Sequence, residues 1–287
     1  LNLKDINRII KFGKNQYFAV ALFVFADLAI DNIMIGYFLG QEAVGYYSFM
    51  IAIIIFANKV NPTKFLKGLV SSMFTKSFYE SGTIVKLKKS FIIMSKLAML
   101  TIIPLNILLL TNIENIILYV YDQKYLKLIN LIYLACFFFL IRDLIPAFTP
   151  LLHALEKNKL FLYTGFFSIY NLIMNIILIP LMGIMGALVS TGTAGVLIFL
   201  LYYHHFRKFF STQFFPWKSF VKIFFMCIPI ILIHLFLGKY VDSILTLLAI
   251  MIIQGLVYFL TIMYFKIFTN NEQLQLNHYL GYNIIKF

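Results

Sequence analysis

Long apolar runs alternate with short polar segments along the whole chain. The first run goes from Tyr17 to Leu39, and at a rise of about 1.5 Å per residue a helix of that length covers a hydrocarbon core of about 30 Å. It is expected to cross a membrane and to turn back at the polar hairpin Gly36 to Gly45. The second run starts near Val44. Its purely apolar part, Tyr46 to Ala57, is too short to span, so the helix is expected to continue through Asn58, Lys59, Asn61, Pro62 and Lys64 to about Phe74. Further runs predict helices over Phe91 to Leu110, about Leu126 to Pro150, about Leu160 to Ile179 and about Ile184 to Tyr203. A last pair follows at about Lys218 to Leu237 and Ser243 to Phe268. The pattern predicts an all-α polytopic membrane protein with about eight spans.

The segments between runs differ in charge. Lys4, Arg8, Lys11 and Lys14 precede the first span, and Lys76, Lys86, Lys88 and Lys89 fall around the Ser77 to Ser90 loop. His153 to Lys159, His204 to Lys208 and the tail Asn270 to Phe287 fall on the same side, whereas Gly40 to Glu42, Thr111 to Lys124 and Leu181 to Gly186 are poor in base. Lys and Arg concentrate in cytoplasmic loops, so both termini are expected inside. Thr111 to Lys124 is expected to be the longest outer segment.

Composition agrees: 62% of the 287 residues are hydrophobic and only 12% are charged, far from a soluble domain. The net charge of +13 then reports orientation rather than a nucleic-acid partner. Cys136 and Cys227 lie inside apolar runs with no partner spacing, so neither a disulfide framework nor a metal site is indicated. No cleavable signal peptide is visible, and because the chain begins at Leu1 an upstream portion is expected.

Polar residues inside apolar helices are costly in lipid and point inward. Asp27 and Asp31, four apart, share one face of the first helix. Two acids in low dielectric favour the neutral form of at least one, so the pair can carry a proton; equally, each can serve only to hold the bundle together. Lys59 and Lys64 either line a wet inner cavity or snorkel at the interface. Lys96, two turns from the basic side, is expected to snorkel. Arg142 adjoins Asp143, but neighbours on a helix diverge, so Arg142 needs a partner or water elsewhere. Asn171 and Asn175 share a face and suit either interhelical hydrogen bonds or a ligand.

Asp31-Asn-Ile-Met-Ile-Gly36 with Leu39-Gly-Gln-Glu-Ala-Val-Gly-Tyr-Tyr47, followed later by Asn171 to Thr191 (NLIMNIILIPLMGIMGALVST), resembles the second half of polysaccharide flippases. These flippases move O-antigen and capsule repeat units and belong to the multidrug/oligosaccharidyl-lipid/polysaccharide exporter superfamily. The resemblance implies a MATE-like fold, with residues 1–210 as a C-terminal six-helix lobe and 211–287 as an additional helix pair and cytoplasmic tail. The facing N-terminal lobe would be missing.

It also implies a transporter of the bacterial cytoplasmic membrane rather than an enzyme. Such a protein moves polyprenyl-pyrophosphate-linked oligosaccharide outward by alternating access, with polysaccharide assembly enzymes as possible partners. On that reading Lys59, Lys64, Arg142, Asn171 and Asn175 bind substrate, and Asp27 and Asp31 couple transport to H+ or Na+, with no other cofactor. Two alternatives remain: a multidrug cation antiporter of the same superfamily, with Asp27 and Asp31 as cation sites, and a membrane-embedded polymerase or ligase acting on lipid-linked sugars, which would need a catalytic cleft on the outer segment where Glu114 and Asp122 are the only acids.

Overall fold

The computed structural model of the chain describes residues 28–59, 84–210 and 214–280, and before them the single positions Ile6, Ile10, Gly13, Lys14, Tyr17, Phe18, Ala21 and Leu22. Asp27, Lys64 and the expected continuation of the second span lie outside the described residues. Every element among those described is helical. Six helical stretches are long and apolar enough to cross a membrane: Ile84–Val120, Gln123–Ala154, Lys159–Met182, Ile184–Phe210, Trp217–Tyr240 and Ile244–Tyr264. The protein is thus multi-pass by length and composition. Two shorter apolar helices, α1 (Leu28–Leu39) and α2 (Gln41–Asn58), form a hairpin around Gly40.

The spine is α3, Ile84–Val120, 37 residues with Pro104 inside it. A proline at that position cannot donate to the carbonyl of Leu100. The Tyr258 hydroxyl from a later helix donates to that carbonyl at 2.9 Å, so the helix passes the proline with its backbone satisfied. The stretch from Thr111, expected as the longest outer segment, is helical to Val120 as the end of α3. Thr111 Oγ1 donates back to the Ile107 carbonyl at 2.9 Å and Asn112 Nδ2 to that of Leu108 at 2.9 Å, while Ile113 and Ile117 are buried. Polar side chains that look like a loop are absorbed on a helix that bonds them internally.

The fourth expected span is also not one helix. A 3-10 turn, Gln123–Leu128, leads into α4 (Ile129–Arg142), a second 3-10 turn Ile145–Phe148, and α5 (Thr149–Ala154). Pro146 and Pro150 each remove a donor where a continuous helix would need one, and the chain tightens between them. α6 (Asn158–Met182) carries Pro180 within it rather than ending there. Gly183, at φ 62, takes the left-handed turn into α7 (Ile184–Phe210), which runs past the expected Tyr203. A Cβ on Gly186 would sit 2.2 Å from the Leu178 carbonyl oxygen, so only glycine lets these two helices close.

The chain then forms α8 (Trp217–Met226), α9 (Ile228–Leu237), α10 (Ile244–Tyr264) and α11 (Asn270–Leu280). Two cores divide α3 between them. Leu109, Ile113 and Ile117 pack with α1, α2, α4 and the start of α7. Residues 87–103 of α3 pack with α5, α7, α8 and α9, and around Phe148 the rings of Phe91, Phe206 and Phe215 stand at centroid distances of 5.0, 5.9 and 6.4 Å.

Lys96 does not snorkel. It is buried, and its Nζ meets Glu272 of α11 at 2.8 Å and the Ile267 carbonyl at 3.1 Å. Glu272 Oε2 also accepts the Thr269 backbone N–H at 2.7 Å at the start of α11, so one acid both begins that helix and fastens it to α3.

Candidate functional site

Four helices bring polar side chains to one buried point. α1 supplies Asp31, α2 Tyr47, α6 Asn171 and Asn175 from successive turns of one face, and α7 the neighbours Ser190 and Thr191. Asp31 is wholly buried (0% exposed), as is Asn175. A buried carboxylate is tolerable only when its oxygens are bonded. Here Asn175 Nδ2 donates to Oδ1 at 2.7 Å, while the Tyr47 hydroxyl at 2.7 Å and Thr191 Oγ1 at 2.9 Å donate to Oδ2. Ser190 Oγ donates in turn to Asn175 Oδ1. The cluster thus closes on itself through neutral donors.

Its oxygens suit a proton or a hard monovalent cation rather than a transition metal. Among the described residues no group of three His, Cys, Asp or Glu side chains gathers where a metal ion could sit.

Beside the cluster lies a cavity of about 540 Å³. Its wall includes Arg142, Asp143, Thr149, Asn171, Thr191 and Tyr202. The junction between α4 and α5, where the chain tightens from α-helix to a 3-10 turn just after Arg142, contributes Arg142, Asp143, Ile145, Pro146 and Thr149 to its lining. The Arg142 stem packs over Gly195, where a Cβ would stand 3.5 Å from the Arg142 Cβ, and its guanidinium carbon is 4.9 Å from the Phe139 ring centroid. Arg142 forms no ion pair with another described residue, but lies close enough for its charge to act on Asp31. The amide nitrogen of Asn171 is buried with no hydrogen-bond partner among the described residues. The guanidinium offers donors to an oxygen-rich or anionic ligand from this wall, and the Asn171 N–H, buried within the wall, is a spare donor behind it.

The structure therefore brings together Asp31, Asn171, Asn175 and Arg142. Lys59 stands apart: it is exposed at the end of α2, 5.9 Å from the Phe56 ring centroid, and does not line the cavity. Tyr47, Ser190 and Thr191 were not singled out as site residues from the sequence. The signal was present, since a serine–threonine pair inside an apolar helix answers to the same logic as the two asparagines. The chain matches no protein-family model and no curated protein sequence.

Proposed function

We propose that the chain is a lobe of a MATE-like flippase that moves polyprenyl-pyrophosphate-linked oligosaccharide repeat units across a bacterial cytoplasmic membrane, with both termini on the cytoplasmic side. The observation that carries this reading is the cavity of about 540 Å³, walled by the Arg142 guanidinium and the Asn171 amide and backed by the buried Asp31 cluster. The volume falls in the usual range for a ligand pocket.

Arginine engages two phosphate oxygens at once, which suits a pyrophosphate. An all-neutral cage around one buried acid suits an ion-coupling site, since a single proton or cation changes its charge and hydrogen bonding together. Alternating access needs a second wall, which a facing helical body provides. Eight spans complete the proposal, the two short apolar helices α1 and α2 belonging to the first two.

A multidrug cation antiporter fits less well. Asp31 has no open face for an organic cation, and the cavity that such a cation would enter carries Arg142. Binding of undecaprenyl pyrophosphate to the purified chain in nanodiscs tests the proposal. Losing charged hydrogen bonds costs about 1.5–3 kcal/mol, so Arg142→Ala should weaken binding about 10- to 100-fold. Lys86→Ala, on the exposed first turn of α3, should not. Equal loss in both would reduce the effect to bulk charge, and wild-type binding of a lipophilic cation instead would favour the antiporter.

A further inference from the structure

We propose that Thr191 is the relay by which the ionisation of Asp31 sets the hydrogen-bonding state of the ligand cavity. The inference rests on the reading of that cavity as the substrate site. Asp31 is fully buried and does not line the cavity, whereas Thr191 and Asn171 do. Thr191 also touches both sides: its Oγ1 is 2.9 Å from Asp31 Oδ2 and 3.3 Å from Asn171 Oδ1. A threonine hydroxyl has one hydrogen, so it serves one acceptor at a time. With Asp31 ionised, the hydrogen goes to the nearer and stronger acceptor, the carboxylate. The Asn171 oxygen is then left without it.

Adding a proton to Asp31 reverses the chain. The carboxyl O–H becomes a donor, and one of the three groups that bonded the carboxylate must turn away. Asn175 is tied at its other end, because its oxygen accepts from Ser190. Tyr47 can turn only toward Thr191, a neighbour inside the same cluster. Thr191 is the one with a second acceptor outside the cluster already in reach, the Asn171 oxygen. It accepts from Asp31 and donates to Asn171 Oδ1, and no bond is lost.

The consequence reaches the cavity through the Asn171 amide. Once its oxygen is held by Thr191, its nitrogen is fixed as a donor, and that nitrogen has no protein partner among the described residues. Protonation of Asp31 thus fixes which way the Asn171 amide holds its buried N–H within the cavity wall, and a ligand that draws on that N–H favours uptake of the proton by reciprocity. Among the described residues, the titratable and charged groups facing Asp31 are Tyr47 from α2 and Arg142 from α4, with Asp143 next to it in the cavity wall. α6 and α7 present only Asn, Ser and Thr to it. Arg142 feels the same change of charge through space, so the test must separate a field from a hydroxyl.

Thr191→Val keeps the shape and removes the hydroxyl; Thr191→Ser keeps the hydroxyl. In nanodiscs, wild-type affinity for undecaprenyl pyrophosphate should rise at least threefold as the pH is lowered through the Asp31 titration, and Thr191→Ser should do the same. Thr191→Val should lose most of that rise, and Asp31→Asn should show none. An undiminished rise in Thr191→Val would overturn the relay and leave the field of Asp31 on Arg142 as the coupling.

A ligand-free readout keeps the inference testable should that lipid not bind at all, a result that counts against the proposed substrate alone. The infrared band of the protonated Asp31 carboxyl, identified by its loss in Asp31→Asn, should shift in Thr191→Val and return in Thr191→Ser. An unshifted band in Thr191→Val would overturn the relay independently.

Discussion

Removing the carboxylate of Glu272 should cost more than removing the charge of Lys96 that it pairs with. Lys96 Nζ sits in a site where the two side chains are 8% and 15% exposed, held by both Glu272 oxygens at 2.9 and 2.8 Å and by the Ile267 carbonyl at 3.1 Å. Glu272→Ala leaves a buried ammonium with one carbonyl, and breaking a buried pair in this way costs about 3–5 kcal/mol. It also removes the acceptor for the Thr269 N–H at the start of α11, adding about 1 kcal/mol. Lys96→Met removes the buried cation and fills its space with an apolar chain. Glu272, the more exposed partner, keeps its bond to Thr269, so the expected cost is about 1–2 kcal/mol.

The double variant Lys96→Met/Glu272→Ala should then be more stable than Glu272→Ala alone, because no unpaired charge remains. Thermal unfolding in one detergent, together with hydrogen exchange across 270–280, reads both the global loss and the release of α11. Equal destabilisation by the two single variants, or no rescue in the double, would refute the claim that the buried ammonium dominates.

Three other perturbations follow from the fold. Tyr258→Phe should destabilise by about 1–3 kcal/mol, because the Leu100 carbonyl is left unbonded beside Pro104, and adding Pro104→Ala should recover much of the loss in thermal unfolding. Gly186→Ala forces a methyl into the Leu178 carbonyl and should cost at least about 1–3 kcal/mol, read as a lowered melting temperature together with weakened ligand binding as α6 and α7 separate. Hydrogen bonds from Thr246 and then Ser243 hold the exposed Asp242 carboxyl below its usual range. Because the folded value is the depressed one, this contribution to the start of α10 is complete above the ordinary Asp range and is lost as pH falls through the folded value. Hydrogen exchange at 243–247, corrected for intrinsic rates, should show fraying on acidification that Asp242→Asn abolishes.

What could be read in advance was what depends on neighbours in sequence. The apolar runs and the Gly183 turn follow from local composition, and so does the shared face of Asn171 and Asn175. What escaped depended on partners far along the chain. Thr111, Asn112 and Glu114 have the composition of a loop, and Asn112 finds Gln254 only through the docking of α10 onto α3. Lys96 sits at a depth where snorkelling is the ordinary outcome, and nothing local announces Glu272. Pro146 and Pro150 mark a break in the fourth span, but their spacing does not say that Arg142 will face a cavity. Tyr47 carries no sequence mark of its role, because its bond to Asp31 needs the α1–α2 hairpin to set the register.

The rings around Phe148 bear on how the protein is made. This knot draws Phe91, Phe148, Phe206 and Phe215 to one place, and Phe148 is fully buried within it. A chain that emerges from a ribosome and enters a bilayer helix by helix presents Phe91 and Phe148 long before Phe215 exists. Until the linker after α7 has been synthesised, part of the Phe148 ring faces lipid or a chaperoning surface. The segment around Phe214 and Phe215 therefore acts as a closing piece, and a chain ended after α7 and released from the ribosome should insert but remain sensitive to protease near Phe148.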